Sequence, residues 1–161
     1  NTLKDLYIDQ IQDIYSADCQ SLKYTKELEE KASSPELKNA LKRGVEGIER
    51  GRDTLSDIIK CHDADPTDEF CKAMQGLVKE AKAHVLEADF GDDDVRDAAI
   101  ITQYQRMTHY GLAGYGCVVA LANRLGLSED AEKLQECLDR TYSGDREMTS
   151  IAMGGINEKA A

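Results

Sequence analysis

Only two prolines, Pro35 and Pro66, interrupt 161 residues, so almost nothing in the chain forbids helix, proline being the residue that most strongly ends one. The apolar residues use that freedom at three- and four-residue steps. Leu3, Leu6, Tyr7, Ile11, Ile14, Tyr15, Leu22 and Leu28, with Asp18 on the same line, predict one helix over residues 2–32. Ser34 followed by Pro35 reads as an N-cap and a first-turn proline. They open a second helix, carried by Leu37, Leu41, Val45, Ile48, Leu55, Ile58 and Ile59 and ending near His62. After a loop at 63–68, Phe70, Met74, Leu77, Val78 and Val85 predict a shorter helix to Glu87, broken by the stretch 91–94. From Val95, the spacing Ala98, Ile101, Tyr104, Thr108, Leu112, Tyr115, Val119, Ala122 predicts a long helix closed near Leu125 by Gly126 as its C-cap. Ser128 begins the last, with Ala131, Leu134, Leu138, Thr141, Asp145 and Met148 on its inner line to Ile151.

The order long, long, short, long, long is all-α. It gives two helical hairpins joined by a crossover, the ferritin-like way of closing a four-helix bundle, with an extra short crossover helix. With 41% hydrophobic residues, 161 residues suffice for one sizeable core, so a single domain over 1–161 is expected. No apolar run approaches the 18 residues of a membrane span, and no positively charged apolar leader is visible. Five cysteines without CxxC spacing fit reduced, mostly buried thiols, and a cytoplasmic location is expected. A net charge of −11 with scattered Lys and Arg repels phosphate backbones, so no nucleic-acid partner is expected.

Inside the second helix, Gly44, Gly47 and Gly51 share one face at i, i+3, i+7 spacing. Each costs about 1 kcal/mol relative to alanine in a helix interior, so the face demands a reason. A dimetal bundle would show Glu-x-x-His spacing twice, and none is present: Glu46 to Glu49 and Glu132 to Glu136 are acid pairs without a histidine three residues on. His62 and His84 read as surface groups and His109 as a packed, hydrogen-bonded one, while Glu46 and Glu49 read as solvated or paired with Arg50 and Arg43.

The stretches 15–18 (YSAD), 33–38 (SSPELK), 70–77 (FCKAMQGL), 95–99 (VRDAA) and 109–116 (HYGLAGYG) resemble, in order and over nearly the whole chain, the YciF-type family of bacterial ferritin-like stress proteins. That resemblance implies a five-helix domain, usually dimeric, with a metal site at the bundle centre, so a homodimer is expected. It also implies that ligands are missing here. The family's second-helix pattern H-x-x-E-T-x-x-Q/H falls on Gly44, Gly47 and Gly51, and its paired E-x-x-E on Thr108 and Gly111. Its Glu-Glu-Lys falls on Arg140, Thr141 and Tyr142, and of the inward acids only Asp18, in place of Glu, and Asp145 stand at matching positions. Two divalent cations need about four carboxylates, often with two imidazoles, so neither a metal nor any other cofactor is expected.

Two uses of the glycine face remain. In the first, the glycines permit close helix approach, and Tyr15, Tyr104 or Tyr142 fills the crossing; natural cores rarely leave large voids, which favours this reading. In the second, Gly44, Gly47, Gly51, Thr108, Gly111 and Thr141 line a pocket for a small molecule, with Asp18, Asp145 and the three tyrosines, Tyr104 among them, as polar contacts. Gly47→Leu distinguishes them: it destabilises a packed site and stabilises an open one. The expected function is a stress-associated binding or structural protein. The alternative is an enzyme, either a residual metal oxidase on Asp18, Glu46, His109 and Asp145 or a metal-free acid–base catalyst pairing His109 with an aspartate.

Overall fold

A computed structural model covers residues 1–161. Helix α1, Leu3–Lys31, starts with a reciprocal cap in which Thr2 accepts from the Asp5 backbone while Asp5 accepts from that of Thr2. Helix α2, Pro35–Cys61, follows after a three-residue turn, with Ser34 accepting from Leu37 N–H as the N-cap. The turn is pinned from across the bundle. Both oxygens of the buried Asp97 accept backbone N–H groups, those of Ser33 and Ser34, at 2.8 Å each.

The crossover carries α3, Lys72–Ala81, whose capping group is the Cys71 sulfur rather than a hydroxyl, accepting from Met74 N–H at 3.3 Å. A widened turn at Lys82–Leu86 ends it. Phe70, expected to anchor this helix, lies before it and is half exposed, because the helix does not begin until Cys71 is seated: Cys71 N–H donates to Ser16 Oγ on α1. Helix α4, Asp93–Arg124, is capped by Asp92 and closed where Gly126 takes a left-handed φ of 71°, a conformation that glycine reaches without strain. Helix α5, Ser128–Ile151, continues through a second widened turn, bent at Gly155, into the short α6, Asn157–Ala160.

Helices α1 and α2 form one antiparallel hairpin and α4 and α5 the other; α1 packs on α4, α2 on α5, and α3 lies against α1 and α4. Cross-links fix the register. Asp97 meets the end of α1 and Tyr115 meets Asp18, while Glu147 meets Arg43 and Asp130 meets His62. Both neighbouring pairs therefore run antiparallel, and the crossover travels the length of the bundle. The apolar residues separate into two cores. One gathers Tyr24, Leu28, Leu37, Leu41, Met74, Ile100 and Met148; the other gathers Tyr7, Ile11, Leu55, Ile59, Val118 and Leu134. The glycine face lies between them.

Candidate functional site

The middle of the bundle contains a cavity of about 410 Å³ bordered by members of both apolar cores. Its α2 wall is the glycine face, Gly44, Gly47 and Gly51, with Arg43 and Arg50 toward solvent. Its α4 wall is Tyr104, Met107, Thr108, Gly111 and Tyr115; α5 adds Cys137, Arg140, Thr141, Gly144, Glu147 and Met148; and α1 closes it with Ala17, Asp18, Ser21 and Thr25. The exposed members, Arg43, Arg50, Asp139 and Ser143, all lie on α2 and α5, so the mouth opens between those two helices. Gly47 and Gly144, one on each side, leave it wide because neither has a side chain to put there.

The three glycines do different things. A Cβ at Gly44 would collide with the Tyr104 hydroxyl, and one at Gly51 would stand 2.6 Å from the Tyr115 hydroxyl and 3.2 Å from Asp18 Oδ2. These two positions take phenol oxygens where a side chain would otherwise be. A Cβ at Gly47 would meet nothing within 4 Å. Close approach therefore accounts for two of the glycines and open space for the third. The side chains filling the close positions are Tyr104 and Tyr115; Tyr15 and Tyr142, expected to share that role, are not in the cavity wall.

Asp18 is the buried acid of the cavity wall. Tyr115 donates to its Oδ2 at 2.6 Å, and the carboxyl is buried. Burial pushes its pKa up to about 7, against the opposing effects of the Tyr115 hydrogen bond and the more distant Arg52 charge. Tyr104, buried on the opposite wall, has its phenol pushed up to about 12, also by burial. Arg43 and Glu147 form an ion pair joining α2 to α5 at the rim. Glu49, expected to pair with Arg43 or to stay solvated, pairs instead with Lys26 of α1 at 3.1 Å.

Asp145, expected as a polar contact of the pocket, is not in its wall. One turn beyond Thr141, the helix has carried it to the α4 side, where His109 Nε2 lies 3.0 Å from its Oδ1 and Gln105 donates to the same oxygen at 3.2 Å. His109 is correspondingly an exposed group and not a packed one. His62, expected on the surface, is instead largely buried, 2.7 Å from Asp130 and edge-on to Tyr7, which donates to the same carboxylate at 2.8 Å. Asp18, Glu46, His109 and Asp145 thus do not converge, and nowhere do three His, Cys, Asp or Glu side chains gather as a metal-holding group. The cavity's acids do not fit a dimetal centre: Asp18 is occupied by a phenol, Glu147 by a guanidinium, and Asp139 is exposed on the rim.

Sequence reasoning missed Tyr115 and Arg140 as members of the site. Extending the line 104, 108, 111 by one further step reaches Tyr115, which the apolar spacing places on the inner face without giving it a role in the site. Arg140 carried a weaker signal, a cation beside Thr141 on a helix whose other inward residues are neutral or acidic. No helix is long and apolar enough to cross a membrane.

The chain is similar to solved bundles over nearly its whole length. Against the crystal structure of the Escherichia coli stress protein YciF the TM-score is 0.89 at 28% identity, covering 98% of each chain. Against YcfI from Rhodopseudomonas palustris it is 0.86 at 29% identity, covering 93% of this chain and 94% of that one. In sequence, Protein YciF of Escherichia coli (strain K12) is 29% identical over 160 residues, 99% of this chain and 95% of the relative. The family model described as "Domain of unknown function (DUF892)" matches residues 2–161, and the chain belongs to that family.

Proposed function

We propose that residues 1–161 act as one ferritin-like domain that has lost a dimetal centre and holds a small molecule in the space left at the middle of the bundle. The observation carrying this reading is the cavity of about 410 Å³ onto which Gly47 opens without a neighbour within 4 Å. That volume is in the range of small-molecule sites, which are concave, mostly apolar and furnished with a few fixed polar groups. Asp18, Tyr104, Tyr115, Thr108, Thr141 and Arg140 are among the polar groups here. Support for the loss of metal is the chemistry of the wall: its three acids are engaged by Tyr115 (Asp18), engaged by Arg43 (Glu147) or exposed (Asp139), and no imidazole joins them to neutralise two divalent cations.

The physiological setting is stress-associated binding in the cytoplasm by a homodimer. Support for the stress association comes from the E. coli relative, which is described as a stress protein. Loading the purified protein anaerobically with iron and measuring bound metal tests the central claim: substoichiometric iron is expected, and two metals per chain overturn it. Sedimentation tests the assembly, since a single species near 17.8 kDa at micromolar concentration removes the dimer.

A further inference from the structure

Arg140 is the unusual group in the cavity wall. Its Nε is buried and has no hydrogen-bonding partner, and its Nη2 reaches only the Cys137 sulfur at 3.4 Å. No carboxylate lies within ion-pairing distance of it; of the other arginines in the wall, Arg43 pairs with Glu147 and Arg50 is exposed to solvent. A buried guanidinium nitrogen without an acceptor is expensive, because its N–H has left water and gained nothing. Asp18 does not serve it: that carboxyl is engaged by Tyr115, and the positive charge acting on it is Arg52.

We propose that the cavity takes a small amphipathic monocarboxylate, its carboxylate on the Arg140 guanidinium and its apolar body among Met74, Met107 and Met148. The proposal rests on the reading of the cavity as a ligand pocket. A planar guanidinium matches a carboxylate in two parallel hydrogen bonds, which is the acceptor geometry Arg140 lacks. Arg50, also unpaired, is exposed at the mouth, so the interior of the cavity offers one cation, which fits one negative charge. A phosphate would need more donors than one guanidinium supplies, and a chain of net charge −11 opposes a dianion. No lysine lines the cavity, so the charge there is the forked kind that recognises a carboxylate, not a mobile ammonium. Three methionines from three helices give the apolar part an adaptable wall. Asp18 is compatible with an anion nearby because burial favours its neutral form up to about pH 7.

Calorimetric titration of the full chain with octanoate, octanol and octylamine separates this proposal from the pocket reading beneath it. Octanoate is expected to bind, octanol about tenfold more weakly or worse, and octylamine not at all. Arg140→Gln should abolish the preference for the acid over the alcohol by weakening octanoate about tenfold, and Gly47→Leu should weaken both. Equal binding of acid and alcohol, or a preference for the amine, overturns the carboxylate assignment and leaves the pocket standing. If none of the three binds the wild-type protein, the pocket reading falls with it. Should Arg140→Gln fail to fold, the acid-to-alcohol ratio of the wild-type protein decides alone.

Discussion

Leu28, Leu37 and Leu41 at one end of the bundle, and Tyr7, Ile11 and Leu55 at the other, are sealed from solvent by side chains from neighbouring helices. Midway between, around Gly47, the same four long helices leave a cavity. The backbone scaffold is continuous through both regions, so the difference lies in side chains alone. At the ends, large aliphatic groups fill the space between axes. In the middle, glycine, threonine and alanine leave it open, and among the larger groups that line it are two tyrosines whose hydroxyls replace missing Cβ atoms at Gly44 and Gly51. A bundle held at both ends can tolerate an unfilled middle, because helix spacing there is set by its neighbours along the axis.

The comparison is tested most severely at an end. Leu55→Ala, at a fully buried position in the core that contains Tyr7 and Ile11, should destabilise by about 2–5 kcal/mol through lost burial and a new void; a loss below 1 kcal/mol by denaturant titration would mean that the ends are not what holds the bundle together.

Asp18 gives the next largest effect, in its pH dependence. Folded, the carboxyl ionises near pH 7; unfolded, it ionises in the usual carboxylate range. Between those limits the native state holds a proton that the unfolded chain has released, so this group's contribution is fully present at low pH and is lost as pH rises through 7. The slope is about 1.4 kcal/mol per pH unit within the window. Asp18→Asn should flatten the difference in stability between pH 4.5 and 7; an unchanged slope would show that Asp18 is ionised in the native protein throughout.

The two kinds of glycine then separate by sign. In Gly51→Ala the new methyl meets the Tyr115 hydroxyl and Asp18 Oδ2, which a 2.6 Å hydrogen bond holds together. Overpacking of about 1–3 kcal/mol, less about 1 kcal/mol of helix propensity, should leave a net loss of stability. Gly47→Ala meets nothing, so propensity acts alone and should raise stability by about 1 kcal/mol. Gly47→Leu should raise it too, with burial added, the reverse of what close packing at that position would give. Thermal melts of all three suffice, and a lower melting temperature for Gly47→Ala would erase the distinction between the regions.

The helices and their order were legible because proline, capping residues and apolar spacing act locally. Ser34 with Pro35, Gly126 after α4 and the loop after His62 all stand where such signals put them. Phe70 went astray because hydrophobicity was its only credential: the cap that starts α3 is the Cys71 thiol, seated by a contact to Ser16 from 55 residues away. Asp145 and His109 were misplaced for a related reason. A position one helical turn from the inner line can face either neighbour, and which one depends on how far α5 is rotated against α4.

What the sequence determined by itself is the set of long amphipathic helices, their pairing into hairpins, and one helix face stripped of side chains, since all three follow from periodicity and residue size along the chain. The tertiary structure decided what that face is for at each position. Gly44 and Gly51 look alike in sequence to Gly47, and they differ only in whether a tyrosine from α4 arrives opposite them. That in turn depends on the registers of α1, α2 and α4, fixed by Asp18–Tyr115 and by Asp97 on the α1–α2 turn, contacts between residues some 60 to 100 positions apart that no local pattern encodes.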